Sequence, residues 1–197
     1  MPALVIVPHR SVDAALVARV ASRLSEGDLA RLSSLHHDLD GLAAFVAGRA
    51  ALQRALSDAG APDARIDATC PDCGLSHGRP VVVDGSGRLS VSVSHADGQA
   101  FAVAARYPVG IDAETMGALR GRAQAIDELA PGHGDPGRRW TAVEAVLKAD
   151  GRGLRRDPGA VRVGRLSARL DGRLYTLRTT RAGDCLITVA TGLRRTV

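Results

Sequence analysis

Leu89-Ser-Val-Ser-Val-Ser94-His95-Ala-Asp97-Gly98-Gln-Ala100-Phe-Ala-Val-Ala-Ala105 reads as two strands and the turn between them. The first half alternates strictly. Val91 and Val93 face one way, Ser92 and Ser94 the other, which is the period-two pattern of a half-buried strand. Asp97-Gly98 has turn chemistry, and Ala100–Ala105 is a continuous apolar strand. Tyr107-Pro108 interrupts the pattern and is read as a lobe junction. Beyond it Val109-Gly-Ile-Asp112-Ala-Glu114 alternates again, with Asp112 and Glu114 on one face and Ile111 and Ala113 on the other.

Outward from this stretch, apolar spacing predicts helices over Val12–Arg23, Gly27–Leu35 and the Ala- and Leu-rich Leu42–Leu56. Ala3-Leu-Val-Ile-Val7 reads as a first strand, and Pro71–Pro80 as a loop. The second half predicts helices around 117–130 and 140–150, then strands near 161–169, 173–180 and 185–191. The expected class is α+β, with an N-terminal lobe at 1–106 and a C-terminal lobe at 107–197. The halves end alike, in Phe-Ala-Val-Ala-Ala and Leu-Ile-Thr-Val-Ala. A chain of 197 residues, 45% hydrophobic and 24% charged, is long and apolar enough for a real core. The Ala3–Val7 run is too short for a signal peptide or a membrane span, and no other stretch reaches the length of a span. A cytoplasmic protein is expected.

Of the 26 Lys and Arg residues, one, Lys148, is lysine. Arginine is a planar, permanently charged fork; lysine is a compact point charge that ligates phosphate and whose pKa can be moved. Position 148 is either an accident of composition or a place where arginine will not serve. Trp140-Thr-Ala-Val-Glu144-Ala-Val-Leu-Lys148 reads as a helix with Glu144 and Lys148 on one face. Upstream, Asp112 and Glu114 repel each other unless a cation or proton lies between them. They are either a solvated strand face or hard oxygen ligands of the kind Mg²⁺ takes together with substrate phosphates. Glu144 is either a third such carboxylate or the closing residue of a capping box begun by Thr141. Lys148 before Gly151-Arg-Gly153 also fits an ordinary helix C-terminus. The lone Trp140 reads as core.

A net charge of +5 and a pI near 9.8 attract polyanions or acidic proteins, or reflect an arginine-rich proteome. Aromatics are only 3% of the chain, which argues against a stacking platform for single-stranded nucleic acid. Cys70-Pro-Asp-Cys73 with His77 imitates part of a zinc site. A structural zinc takes four ligands, and Cys185 is far away in sequence, so reduced cysteines in a turn are the expectation. Taken alone, His77 reads as an exposed loop imidazole, and Arg49, Arg54 and Arg79 as solvated charges.

Together, several segments resemble the 4′-phosphopantetheinyl transferases. Gly110-Ile-Asp-Ala-Glu114 matches that family's G-I-D-x-E strand. Trp140 to Lys148, followed by Gly151-Arg-Gly-Leu154, matches its W-[ST]-x-K-E-A-x-x-K helix and G-x-G-L. Ser94-His95-Ala-Asp-Gly98 is similar to its S-H-S-x-G, and His77-Gly-Arg-Pro80 to its H-G-R-P. Leu24-Ser-Glu-Gly-Asp28 and Phe45 to Leu52 are similar to its N-terminal helices. The order holds from about Leu24 to Leu154, closest to the two-lobed surfactin-type branch. Two departures stand out. Val143 replaces the family's Lys before the helix Glu. The segment between Glu114 and Trp140 is short and lacks F-x-x-x-E, with Glu128-Leu-Ala-Pro-Gly-His133 roughly in its place.

The resemblance implies two similar α+β lobes forming a pseudo-dimer, with the active site in the cleft between them. It implies transfer of the phosphopantetheine arm of coenzyme A to a serine of an acidic apo acyl or peptidyl carrier protein, in fatty acid, polyketide or nonribosomal peptide biosynthesis. The serine hydroxyl attacks the β-phosphorus and 3′,5′-ADP leaves. Asp112, Glu114 and Glu144 would hold Mg²⁺, and Lys148 would neutralise charge. Glu144, or a water on the metal, would take the serine proton. Arg49, Arg79, Ser94 and His95, with Asp112 and Lys148, would contact the coenzyme, and His77 lies beside its phosphates. A monomer is expected, without nucleic acid or membrane as partner. Two other readings stay open: a basic nucleic-acid-binding regulator with a partial zinc site at Cys70–His77, and a catalytically dead relative serving as a partner protein.

Overall fold

Residues 2–83 and 89–193 are described by a computed structural model, the Leu154 side chain excepted. The chain mixes helix with antiparallel sheet. It divides into two compact units, one of Pro2–Val93 with Gly98–Arg106, the other of Ser94–Asp97 with the residues from Tyr107 onward.

The N-terminal unit contains β1 (Val5–Pro8), α1 (Ala14–Ala21), α2 (Glu26–Ser34) and α3 (Leu39–Asp58). The β2 (Ile66–Thr69), β3 (Ser76–Val82), β4 (Ser90–Ala96) and β5 (Gln99–Ala105) strands follow, with the last residues of β4 grouped in the other unit. Each helix opens on a side chain that takes up one of its orphan backbone donors. Asp13 accepts from the Leu16 N–H, Ser25 from Asp28 and Asp38 from Gly41. Helix α3 is buried almost all round from Phe45 to Leu52 and lies on β1 and β5. Its Val46, Ala47, Ala51, Leu52 and Leu56 form the core with Val5, Val7, Ala100 and Ala102. The sheet order is β1-β5-β4, with Val5 opposite Ala102. Asp97 and Gly98 make the turn before β5 with φ of 50° and 62°, as a two-residue hairpin turn requires.

The expected Pro71–Pro80 loop is shorter than its Gly and Pro content suggested. Only 71–75 turns; from Ser76 the chain is β3, paired with β2. Pro80 is tolerated because this two-stranded sheet leaves each strand a free edge. A Cβ at Gly78 would press on the Thr69 and Ala68 carbonyls, so the hairpin closes only around glycine.

The C-terminal unit holds a five-stranded sheet in the order β6-β10-β9-β8-β7. Its strands are β6 (Val109–Thr115), β7 (Arg162–Val163), β8 (Ser167–Leu170), β9 (Arg173–Ala182) and β10 (Cys185–Gly192). Helices α4 (Met116–Gly121) and α5 (Ala123–Leu129) lead to α6 (Pro136–Asp150), which lies on β6 and β10. Each unit therefore lays one long helix across an antiparallel sheet. Helix α6 starts earlier than the Thr141 capping box supposed. Asp135 is the N-cap, accepting from Arg138 N at 2.7 Å, and Pro136 takes the first turn. Thr141 is fully buried and its hydroxyl meets that of Thr188 at 2.8 Å. Glu144 is therefore mid-helix and caps nothing. The helix ends at Gly151, in the left-handed region at φ 90°. Trp140 packs among apolar side chains, as expected of core.

Helix α6 and β6 approach each other most closely at Gly110. A Cβ there would overlap the Ala145 carbonyl oxygen and the Ala149 amide nitrogen, both backbone atoms that have nowhere to go. Gly110→Ala should therefore lower stability by about 1–3 kcal/mol or more, as overpacking does. Gly117→Ala, with open space around its Cβ, should be neutral or slightly stabilising. Thermal melts of the two variants check this, and equal melting temperatures would dismiss the close approach.

Candidate functional site

Gly110, Asp112 and Glu114 alternate onto the face of β6 that meets α6, and Glu144 and Lys148 come from that helix one turn apart. The close approach at Gly110 brings the two sets together. Lys148 Nζ donates to Asp112 Oδ1 at 2.7 Å and lies 3.4 Å from Ser94 Oγ. Ser94 Oγ itself donates to Asp112 Oδ1 at 3.1 Å and accepts from the Ala113 N–H at 3.2 Å. Asp112 is 5% exposed, so the solvated strand face is excluded for it. Its second oxygen, Oδ2, is buried without a hydrogen-bond partner. An acceptor orphaned in this way costs about 1–3 kcal/mol and marks a place where a cation or donor is wanted.

Glu144 is half-buried. Burial pushes its carboxyl above the usual range, and Asp112 and Glu114 push it further; Lys148 and Arg122 oppose them. Glu114 is half-buried and pairs with Arg122 at 2.7 Å, a partner that no motif singles out. The donors suit a hard divalent ion in kind: three carboxylates, one oxygen orphaned and one carboxyl held toward its protonated form. They are not drawn as close as a closed cation shell. Among the described residues, the one group of three acidic, cysteine or histidine ligand atoms within 4.8 Å of one another is elsewhere.

That group is Cys70, Cys73 and His77. The cysteines expected to be idle in a turn thus converge with the histidine. Cys73 Sγ lies 2.9 Å from His77 Nε2. Backbone N–H groups of Asp72 and Cys73 hold the Cys70 thiol below its ordinary pKa. Cys185 is buried in β10 of the other unit, and burial pushes its thiol up.

The remaining expected site residues are distributed differently. Arg49 is neither solvated nor free for a phosphate. It is 8% exposed and gives Nε and Nη2 to the fully buried Asp28, at 2.6 and 2.7 Å. The Ser76 hydroxyl also donates to Asp28, and the guanidinium stacks 4.8 Å over the Phe45 ring. A planar fork matched to a carboxylate at this depth is a structural ion pair. Arg79 is exposed on β3 in the same unit, and His95 is exposed beside Ser94 on β4. Arg139 ties down the Glu128–His133 segment, donating to the carbonyls of Ala130, Gly132, His133 and Gly134 and to Asp127.

Among the described residues, no helix is long and apolar enough to cross a membrane. No protein-family model matches the chain, and no curated protein matches it.

Two measurements follow from this geometry. Arg49→Ala leaves Asp28 charged and buried, so it should cost about 3–5 kcal/mol of stability, read in denaturant melts. A variant as stable as the parent would show the pair to be dispensable. For Glu144, the folded state holds the proton to higher pH than the unfolded chain, so its charge lowers stability as pH rises above the usual glutamate range. In metal-free buffer, Glu144→Gln should therefore melt higher than the parent at neutral pH. The advantage should vanish as pH falls through that range. A pH-independent difference would contradict the burial argument.

Proposed function

We propose that the chain is a 4′-phosphopantetheinyl transferase. It would move the phosphopantetheine arm of coenzyme A onto a serine of an acidic acyl or peptidyl carrier protein in the cytoplasm. The observation that carries this reading is the Lys148–Asp112–Ser94 constellation with its orphaned Asp112 oxygen. It unites three of the motif matches, the S-H-x-x-G, G-I-D-x-E and W…K segments, which lie far apart in sequence. The reading carries with it the finer architecture of two related lobes forming a pseudo-dimer.

Chemically, the serine Oγ forms a bond to the β-phosphorus of coenzyme A, the bond from that phosphorus to the ADP oxygen breaks, and 3′,5′-ADP departs. Such transfers ask a protein for positioning and charge neutralisation. Lys148 supplies a compact cation on a helix end, fixed by Asp112 and Ser94. Glu144, whose half-buried carboxyl has its pKa raised by desolvation, would accept the serine proton. Asp112 and Glu144, and Glu114 once it releases Arg122, would hold Mg²⁺. When bound, that ion would supply Lewis-acid neutralisation of the pyrophosphate. By motif match, Arg79 and His95 would meet the coenzyme's phosphates. Arg49 is not assigned there, because Asp28 occupies its fork.

The test is incubation with coenzyme A, Mg²⁺ and an apo carrier protein, read as a mass gain of one phosphopantetheine arm. No gain with any of several carriers would sink the proposal. Asp112→Ala and Glu114→Ala should each slow transfer by about 10²–10⁴-fold, equivalent to roughly 3–5 kcal/mol of barrier. EDTA should abolish it. Lys148→Arg should approach Lys148→Ala in rate loss, about 100-fold, because a forked head shifts the phosphate by about 1 Å. The circular dichroism should not change, since Arg and Lys have similar helix propensity. Full activity in Lys148→Arg would make the single lysine an accident of composition.

A further inference from the structure

Among the described residues, the β2–β3 hairpin is a two-stranded sheet with no third strand beside it. Isolated hairpins of this kind are marginal in water and need a staple or a packed face. One anchor is on its inner side, where the Ser76 hydroxyl reaches Asp28 and the Arg31 guanidinium donates to the Ser76 carbonyl. Ser76 pairs with Thr69 as the last rung before the turn, and Cys70, Cys73 and His77 are gathered around that turn.

Cys70 follows the last residue of β2, Cys73 closes the turn and His77 is the second residue of β3. The turn is built on backbone: Gly74 N–H donates to the Cys70 carbonyl at 2.9 Å and Cys70 N–H to the Leu75 carbonyl at 2.8 Å. Gly74 takes a φ of 75°, in the left-handed region. This returns the chain so that the histidine comes back over the cysteines. The three ligand atoms then lie within 4.8 Å of one another. Zinc–sulfur bonds of about 2.3 Å and zinc–nitrogen bonds of about 2.0–2.1 Å, set tetrahedrally, place such atoms about 3.5–3.8 Å apart. Small side-chain adjustments span that difference, because Cys73 and His77 are exposed and Cys70 lies at the buried end.

We infer that Cys70, Cys73 and His77 bind one zinc-class divalent cation that clips the β2–β3 hairpin shut. Two thiolates and a neutral imidazole exactly offset the ion's charge, and they are the donor set that favours zinc over magnesium or calcium. Binding releases the two thiol protons to solvent as two Zn–S bonds form. The fourth tetrahedral position falls to water, since no fourth protein ligand joins the group among the described residues. A redox role for Cys70 and Cys73 fits less well. The converging histidine has no part in a dithiol couple. The inference stands independently of the transferase reading. It reverses the expectation that these cysteines are idle.

The purified full-length chain, prepared without chelator under reducing conditions, is analysed for metal by mass spectrometry. The metal-stripped protein is then titrated with Co²⁺ and followed by absorbance. One zinc per chain is expected, together with a thiolate-to-cobalt charge-transfer band and the intense d–d bands of a tetrahedral site. Cys73→Ser and His77→Ala, both at exposed positions, should keep the fold by circular dichroism. Each should weaken Co²⁺ binding at least tenfold, whereas Cys185→Ser should bind like the parent. A folded parent that takes up neither metal overturns the site. So does an intact mass short by two hydrogens under reducing conditions, which would mark a Cys70–Cys73 disulfide. Undiminished binding in Cys73→Ser would overturn it as well. None of these readouts depends on coenzyme A or a carrier protein.

Discussion

Position 110 has no room for a side chain, and most of the C-terminal unit's chemistry depends on that. The Ala145 carbonyl and Ala149 amide of α6 occupy the space a Cβ would need. The strand and helix can therefore meet backbone to backbone, at a separation that ordinary side chains would forbid. Only at that separation does a lysine one turn from the helix end reach an aspartate two residues along the strand. The Asp112–Lys148 pair in turn orients the Ser94 hydroxyl. Leucines or valines on this face would have given a stable α+β layer with the carboxylates held apart and solvated. A missing methyl group thus does more for the site than any polar residue in it.

A different constraint governs the N-terminal unit. Asp28 is fully buried, and its burial is tolerable only because Arg49 and Ser76 satisfy it from two other elements. A buried carboxylate without such partners would protonate or force the helices apart. The network links α2, α3 and β3 by geometry that hydrophobic contacts alone do not specify. Arg31 extends it, lying 5.5 Å over the Phe45 ring and donating to the Ser76 carbonyl. The hairpin that carries the cysteines is thereby fixed at its inner edge.

Strand and helix identities were legible wherever period decided them. The alternation at Leu89–Ser94 and the apolar run at Ala100–Ala105 emerge within β4 and β5, and the strands expected near 173–180 and 185–191 are β9 and β10, whereas the single strand expected near 161–169 is two short ones, β7 and β8, folded back on each other. Ends were less legible, because caps compete. Thr141-Ala-Val-Glu144 had a good capping pattern, but Asp135-Pro136 offers a better one, with its cap six residues upstream, and the helix takes it. Composition misled at Pro71–Pro80, where glycine and proline serve a tight hairpin and its open edge. Pairing between distant residues left no mark in the sequence. Nothing near Arg49 announces Asp28, and nothing near Glu114 announces Arg122. The grouping of Asp112, Lys148 and Ser94 was legible only through the order of the motifs.

The two ligand sets differ in hardness, and this separates what each can recruit. Asp112, Glu114 and Glu144 present oxygen alone, with Lys148 occupying one carboxylate oxygen, so any cation there competes with an ammonium group. On the proposed reading, that favours an ion which brings its own anionic ligand and keeps its waters. Cys70, Cys73 and His77 have the opposite character. Their donors are soft, no lysine contests them, and backbone hydrogen bonds close the turn that holds them.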